Sequence, residues 1–268
     1  MRPIPSLMSL KGRRALVTGA AGHIGLAICE TLIELGAKVA VLDLDAARCR
    51  QRAQRLCRMR AGAAFALPCD LLDEAATRGA VRAAIRRMRG LDIVVHSAAY
   101  VGTTEFPGWV VPFPKQSVEA FDRAMRVNMT SAFVIVQEAH RALARSGRGS
   151  VILISSIYGV VGPDFSLYKG LDMANPIGYA ASKGGLIQSA RYLATALAPR
   201  VRTNVITPGG VLRGGQPAEF RRRYIRKTPL GRMATEEDLK GAVAFLASDL
   251  SAYVTGQNLM VDGGWTAW

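Results

Sequence analysis

The amino-acid sequence predicts an α/β fold: a doubly wound parallel sheet with helices on both faces, three layers α/β/α in a single domain spanning residues 1–268. Three observations carry this. Short β-branched apolar runs alternate with helical stretches along the whole chain, and no linker or repeat interrupts them. The first run leads straight into a glycine-rich turn. With 268 residues and 50% hydrophobic content, the chain is long enough for a sizeable core. Consecutive strands separated by helices require right-handed crossovers, which place helices on both faces of the sheet.

The first strand is predicted at 15–18 (Ala-Leu-Val-Thr) and its helix at 25–35; residues 1–10 form an N-terminal extension. A second strand at 38–42 leads to a helix at 44–60, whose arginines from Arg48 to Arg60 form a solvated outer face and before which Asp45 is a candidate N-cap. The third strand, 64–68, precedes a helix at 73–89 with Arg78 to Arg89 outermost. The fourth, 93–96 (Ile-Val-Val-His), is followed by a long segment, 100–116, and a single helix over 118–145. Then come a strand at 151–155, a helix at 179–198, a strand at 202–207, helices at 218–224 and 236–248, and a last strand at 258–261. Ligands of such sheets sit beyond the carboxyl ends of the strands, where most of the unusual residues of this chain also fall.

The first strand runs into Thr18-Gly19-Ala20-Ala21-Gly22-His23-Ile24-Gly25. Glycines there let the backbone approach a pyrophosphate at a helix N-terminus, where free N–H groups favour anions; a tight turn without a ligand is the alternative. Asp43 ends the second strand about twenty residues on, where a carboxylate accepts hydrogen bonds from an adenosine ribose. That carboxylate would repel a 2′-phosphate, and no Arg or Lys lies in the turn or directly after Asp43 to offset it. NAD(H) is therefore expected over NADP(H).

Tyr179 and Lys183 stand four residues apart, downstream of Ser155-Ser156. On a helix they share a face, so the ammonium favours the ionised phenol and brings its pKa of about 10 towards neutrality, where a proton donor and acceptor works best. Alone, such a pair reads rather as a half-buried aromatic and a solvated charge.

Together, the glycine turn, Asp43, Asp70, Asn128, Ser156, the Tyr179 to Lys183 pair and Thr207-Pro208-Gly209-Gly210 resemble the short-chain dehydrogenase/reductases, from Leu10 to the C-terminus. The resemblance implies a Rossmann fold and a catalytic set of Asn128, Ser156, Tyr179 and Lys183. Tyr179 would exchange a proton with the substrate oxygen and Ser156 would hydrogen-bond it. Lys183 would bind the nicotinamide ribose and tune Tyr179, and Asn128 would hold a water linking Lys183 to solvent. Gly19, Gly22, His23, Ile24, Gly25, Asp43, Asp70, Leu71, Ser97, Ala98, Pro208, Gly209 and Val211 would line the cofactor with Tyr179 and Lys183. From the residues alone, the alternatives are that Asn128 caps or kinks its helix, Ser156 ends a strand and Asp70 starts a turn.

The chain departs from the family in four places. His23 stands where Gly is usual, as a phosphate contact or an exposed imidazole. His96-Ser97-Ala98-Ala99 replaces the common Asn-Asn-Ala-Gly. Arg213 replaces a Thr that contacts the cofactor amide in many relatives. The segment 157–178, with Tyr158, Phe165, Tyr168, Lys169 and Asp172, is longer than usual and is expected at the active-site mouth. Phe106, Trp109 and Phe113 of 100–116 belong beside the substrate or in a subunit interface. Residues 209–229 form a substrate lid, in which Arg213, Arg221, Arg222, Arg223, Arg226 and Lys227 read as an anion site or a solvated face.

A net charge of +15 fits anionic substrates or nucleic acid, although the arginine-rich helix faces account for most of it. Cys29, Cys49, Cys57 and Cys69 contain no C-x-x-C pair and read as reduced thiols of a cytoplasmic protein. No apolar window reaches transmembrane length, so no membrane partner is expected. His23, His96 and His140 are isolated, so no metal is expected. The resulting expectation is an NAD(H)-dependent oxidoreductase interconverting a secondary alcohol and a ketone on a small polar, sugar-like or anionic metabolite. A 3-oxoacyl-thioester reductase acting on acyl carrier protein is one alternative. A non-catalytic dinucleotide-sensing or nucleic-acid-binding protein is another, disfavoured by the full catalytic set, so no nucleic-acid partner is expected. The resemblance implies a homotetramer, or homodimer, through 118–145, 179–198 and the C-terminal strand.

Overall fold

The central β-branched runs of the sequence are covered by helices on both sides, and this is why those strands take up apolar residues continuously. The computed structural model describes residues 1–102 and 104–268. Strands β1 (Arg14–Thr18), β2 (Lys38–Asp43), β3 (Ala64–Pro68), β4 (Ile93–His96), β5 (Gly149–Ile154), β6 (Val201–Pro208) and β7 (Asn258–Val261) form one sheet. Its order is β3-β2-β1-β4-β5-β6-β7 and every pairing is parallel. The strand order reverses between β1 and β4, which opens a crevice at their carboxyl ends.

The helices are α1 (Ile4–Met8), α2 (His23–Glu34), α3 (Ala46–Met59), α4 (Glu74–Met88), α5 (Val118–Met125), α6 (Ser131–Arg145), α7 (Ile177–Ala196), α8 (Ala218–Arg226) and α9 (Lys240–Ala247). On one face of the sheet, Ile28 and Leu32 of α2, Leu56 of α3 and Val243 and Leu246 of α9 pack on Val17, Val39, Val41 and Ile93. On the other, Val81 of α4, Ile135 of α6 and Leu186 of α7 pack on Leu16, Leu42, Val94 and Leu153. Each such fully buried side chain contributes about 1.5–3 kcal/mol. The N-terminal extension is anchored: Leu10 is wholly buried, and Arg2 pairs with Asp249 at 2.9 Å.

Several boundaries differ from the sequence-based expectation, each for a local reason. Asp45 caps α3 by accepting from the N–H groups of Ala47 and Arg48, so that helix starts at Ala46 rather than at residue 44. Asp73 caps α4 in the same way, through Ala76 N–H. The stretch 236–248 divides because Thr235 and Asp238 form a reciprocal capping box that holds Glu236–Leu239 as a 3-10 turn before α9. The expected single helix over 118–145 is interrupted by a π-helical turn, Arg126–Thr130, between α5 and α6. Asn128 sits in that turn with both ends of its amide bonded to the Tyr100 backbone, an inserted contact of the kind that widens a helix.

Candidate active site

Ser156 follows β5 and is buried, and its Oγ accepts from Tyr158 N–H at 3.3 Å, so it also closes the strand end. Tyr179, in the first turn of α7, is half-buried, with its phenol beside the Ser156 hydroxyl. One turn on, Lys183 is buried; its Nζ donates to the Ile154 carbonyl at 2.8 Å and lies 5.7 Å from the centre of the Tyr179 ring. Burial pushes the lysine down to about 7. The expected lowering of Tyr179 by Lys183 does not occur. Burial pushes the phenol up, against the Ser156 hydroxyl and the charge of Arg213. The physical reason is that the lysine charge is itself weakened by burial and its ammonium is turned to Ile154.

Asn128 is fully buried. Its Oδ1 accepts from Tyr100 N–H at 2.7 Å, and its Nδ2 donates to Ser182 Oγ at 3.0 Å and to the Tyr100 carbonyl at 3.3 Å. Ser182 Oγ in turn donates to the Tyr179 carbonyl at 2.8 Å, tying the π-turn to α7 beside the phenol. The Asn128 carbonyl lies 3.1 Å from His96 Nε2, and His96 Nδ1 lies 3.0 Å from Thr18 Oγ1. Because the Thr18 hydroxyl accepts from Ser97 and Ala98 N–H at 3.1 Å each, it donates to Nδ1, and the network assigns the ring proton to Nε2. Burial, followed by the charge of Lys183, pushes His96 down to about 3, so the imidazole is neutral. Thr18 and Ser182 take positions here that sequence reading does not assign, since a lone hydroxyl beside a glycine turn or inside a helix has no telling spacing.

At the other end of the crevice, Gly19 has a φ of 64°, and a Cβ there would come 2.7 Å from Ala98 N; a Cβ on Gly25 would come 2.0 Å from the Gly19 carbonyl oxygen. The turn, the start of α2 and the segment after β4 therefore touch backbone to backbone. Gly22 caps α2 without a side-chain bond, which leaves the first-turn N–H groups, including those of His23, Ile24 and Gly25, without an intrahelical acceptor. His23 points elsewhere: its ring is 62% exposed, and Nδ1 lies 3.5 Å from Glu236 Oε1. Asp43 accepts from Ala21 N–H at 2.9 Å and Leu44 N–H at 2.8 Å. No Arg or Lys lies within the turn or directly after Asp43, but Arg52 of α3 reaches the turn from 31 residues away and donates to the Ala21 carbonyl at 3.3 Å. Asp70 is exposed and starts a turn by accepting from Leu72 N–H at 2.9 Å, while the Leu71 side chain packs into the core. Pro208 pairs with Val261, Gly209 donates to the Val261 carbonyl at 2.9 Å, and Val211 bridges to Ala234. Open amides that can donate to a diphosphate, and a nearby carboxylate that can accept from ribose hydroxyls, are the groups a dinucleotide requires.

The aromatic residues of the two long segments divide between interior and surface. Trp109 is buried, donates to the Val101 carbonyl at 3.0 Å and stacks on Phe106, in a cluster that includes Tyr179. Tyr158 and Tyr168 hydroxyls meet at 2.7 Å, and Tyr168, Phe220, Tyr224 and Trp265 continue the wall at centroid spacings of 5.6–5.9 Å. Phe113 and Phe165 are exposed. Of the two C-terminal tryptophans, Trp265 is buried and Trp268 exposed. The expected basic cluster also divides. Arg222 and Arg223 pair with Glu219, Lys227 pairs with Asp164, and Arg223 Nη1 donates to the carbonyls of Ser166, Leu167 and Lys169 at 3.2, 3.3 and 2.7 Å. Arg223 and Lys227 thereby clamp α8 onto the inserted loop, whereas Arg222 pairs within its own helix. Arg221 and Arg226 are exposed, and Arg213 is half-buried.

A protein family described as enoyl-(acyl carrier protein) reductase matches residues 19–266. The chain is 36% identical over 270 residues to a 4-formylbenzenesulfonate dehydrogenase of Comamonas testosteroni, covering 96% of this chain and 99% of that protein. It is 32% identical over 266 residues to an L-rhamnose 1-dehydrogenase (NAD(P)(+)) of Sphingomonas sp., covering 95% and 96%. Among solved structures, a gluconate 5-dehydrogenase of Burkholderia cenocepacia in complex with NADP and tartrate superposes with a TM-score of 0.85 at 27% identity, over 99% of this chain and 100% of that one.

Proposed function

The chain belongs to the short-chain dehydrogenase/reductase family of oxidoreductases, and from that premise we propose that it interconverts a secondary alcohol and a ketone on a small polar, sugar-like or anionic metabolite with NAD(H). The observation that carries the reading is the Ser156, Tyr179 and Lys183 constellation at the sheet edge that also holds the glycine turn. When bound, the dinucleotide supplies the hydride in reduction and accepts it in oxidation. Tyr179 gives its phenolic proton to the substrate oxygen in reduction and takes it back in oxidation, and Ser156 donates a hydrogen bond to the same oxygen. Lys183 binds the nicotinamide ribose, and Asn128 fixes the backbone of Tyr100 and α7 around it. Gly19, Gly22, Ile24 and Gly25 cradle the diphosphate, and Asp43 takes the adenosine ribose. Asp70 and the Leu71 backbone face the adenine, Ser97 and Ala98 form the floor, and Pro208, Gly209 and Val211 flank the nicotinamide.

The polar substrate class is supported by the tyrosine wall and by two buried polar atoms, Trp265 Nε1 in it and Asn175 Oδ1 on the side chain next to Tyr168, which have no partner among the described residues. Relatives named for rhamnose, gluconate and a sulfonate act on molecules of this kind. Asp43 supports NAD(H), because a 2′-phosphate would meet its charge. The exposed apolar faces of α6 and α7 support assembly with further copies of the chain.

Calorimetric titration with NADH and with NADPH tests the cofactor half of this reading, with tighter NADH expected. Tighter NADPH would overturn it and favour a 3-oxoacyl-thioester reductase. Tyr179→Phe tests the chemistry. It should lower turnover at least about 100-fold while leaving NADH affinity unchanged. Wild-type oxidation should quicken as pH rises, because the raised phenol must lose its proton to act as a base. An active Tyr179→Phe enzyme would remove the residue from this role.

A further inference from the structure

Among the six basic residues of 213–227, Arg213 differs from those that clamp α8. Its guanidinium forms no ion pair or hydrogen bond among the described residues, although the side chain is half-buried, and Arg222, Arg223 and Lys227 each have an acidic partner. The backbone around it is fixed. Leu212 N–H donates to the Ala234 carbonyl at 2.7 Å, Arg213 N–H donates to Gln216 Oε1 at 2.8 Å, and Gln216 Nε2 returns to the Val211 carbonyl at 3.2 Å. The arginine thus projects from a braced loop just beyond the carboxyl end of β6, close enough for its charge to act on the Tyr179 phenol. A partly desolvated guanidinium without a carboxylate is a site for an exogenous anion, and its fork geometry matches a carboxylate.

We propose that Arg213 anchors a carboxylate of the substrate, so that the enzyme acts on hydroxy acids and their oxo acids in preference to neutral polyols of the same carbon skeleton. This rests on the oxidoreductase reading above. The carbinol carbon gives up a hydride to NAD+, its hydroxyl proton goes to Tyr179, and the oxo acid, NADH and a proton result. The carboxylate is unchanged and serves only to hold the carbinol at Ser156 and Tyr179.

The test uses full-length protein saturated with NADH, which cannot oxidise a hydroxy acid, and measures binding of tartrate, gluconate and 3-hydroxybutyrate against threitol, glucitol and 2-butanol by calorimetry. At least one acid should bind tenfold or more tightly than its neutral counterpart. Arg213→Gln should remove that difference while changing NADH affinity less than twofold, and Arg213→Lys should retain part of it. Equal binding of acid and neutral partner, no binding of any acid, or undiminished acid binding by Arg213→Gln would each overturn the anchor. Loss of NADH affinity in Arg213→Gln would overturn it too, by assigning the arginine to the cofactor. Oxidation assays with NAD+ separate the two readings: turnover of neutral alcohols without acid preference leaves the oxidoreductase standing and removes only the anchor.

Discussion

His96 has no exposed surface, accepts from Thr18 at Nδ1 and donates to the Asn128 carbonyl from Nε2, so a second ring proton would find no acceptor. Its unfolded counterpart protonates at about 6.5, whereas the folded imidazole does so only near about 3. Between those values the unfolded state binds more protons, and stability is lost as pH falls through the window, by up to about 1.4 kcal/mol per pH unit. His96→Asn, which restores the residue common in the family, should keep the fold and flatten this dependence. Denaturant midpoints at pH 7 and pH 4 would show it: the gap between them should be narrower in the variant. An unchanged gap would mean that His96 is not the source of acid sensitivity.

At the scale of elements, α8 and the inserted loop 157–178 behave as one unit. Arg223 joins Glu219 of its own helix to three carbonyls of the loop, Lys227 pairs with Asp164, and Tyr168 packs on Phe220. The phenol of Tyr224 accepts from Gly210 N–H at 2.5 Å and stacks on Trp265, so the same helix also presses on the end of β6. Arg223→Ala should loosen the unit without touching the core. Hydrogen exchange across 157–178 and 218–226 should accelerate, and KM for substrate should rise about threefold to tenfold with NADH affinity unchanged. Unaltered exchange in both segments would show that the aromatic contacts alone hold the helix.

Across the whole molecule, several arginines tie neighbouring elements together. Arg55 pairs with Glu30, Arg78 and Arg82 reach Glu138, and Arg87 lies over the Phe65 ring at 4.2 Å. The surface between α6 and α7 is of another kind: Phe133 and Tyr192 are 55% and 71% exposed beside a groove lined by Met129, Leu153, Leu186 and Leu193. A second copy of the chain is the expected cover, since single exposed aromatics are common but a pair flanking an apolar groove is not. Phe133→Glu combined with Tyr192→Glu should reduce the mass in light scattering towards one chain. A wild-type monomer at working concentration would dispose of the expectation.

The sequence by itself determined the sheet, because alternating apolar runs and helical stretches admit few packings, and it determined the candidate site, because Tyr179 and Lys183 share a helix face and the glycine turn is contiguous. It also held the capping residue Asp45 in plain view. Only the tertiary structure decided the π-turn at Asn128, since its cause is the backbone of Tyr100, 28 residues away. Only it decided that Lys183 turns to Ile154 and leaves the phenol raised, that Arg52 reaches the glycine turn, and that Arg213 alone of the half-buried lid cations lacks an acidic partner among the described residues. Spacing fixes which side chains share a face, but desolvation and long-range partners fix their charge, and both exist only once the chain has packed.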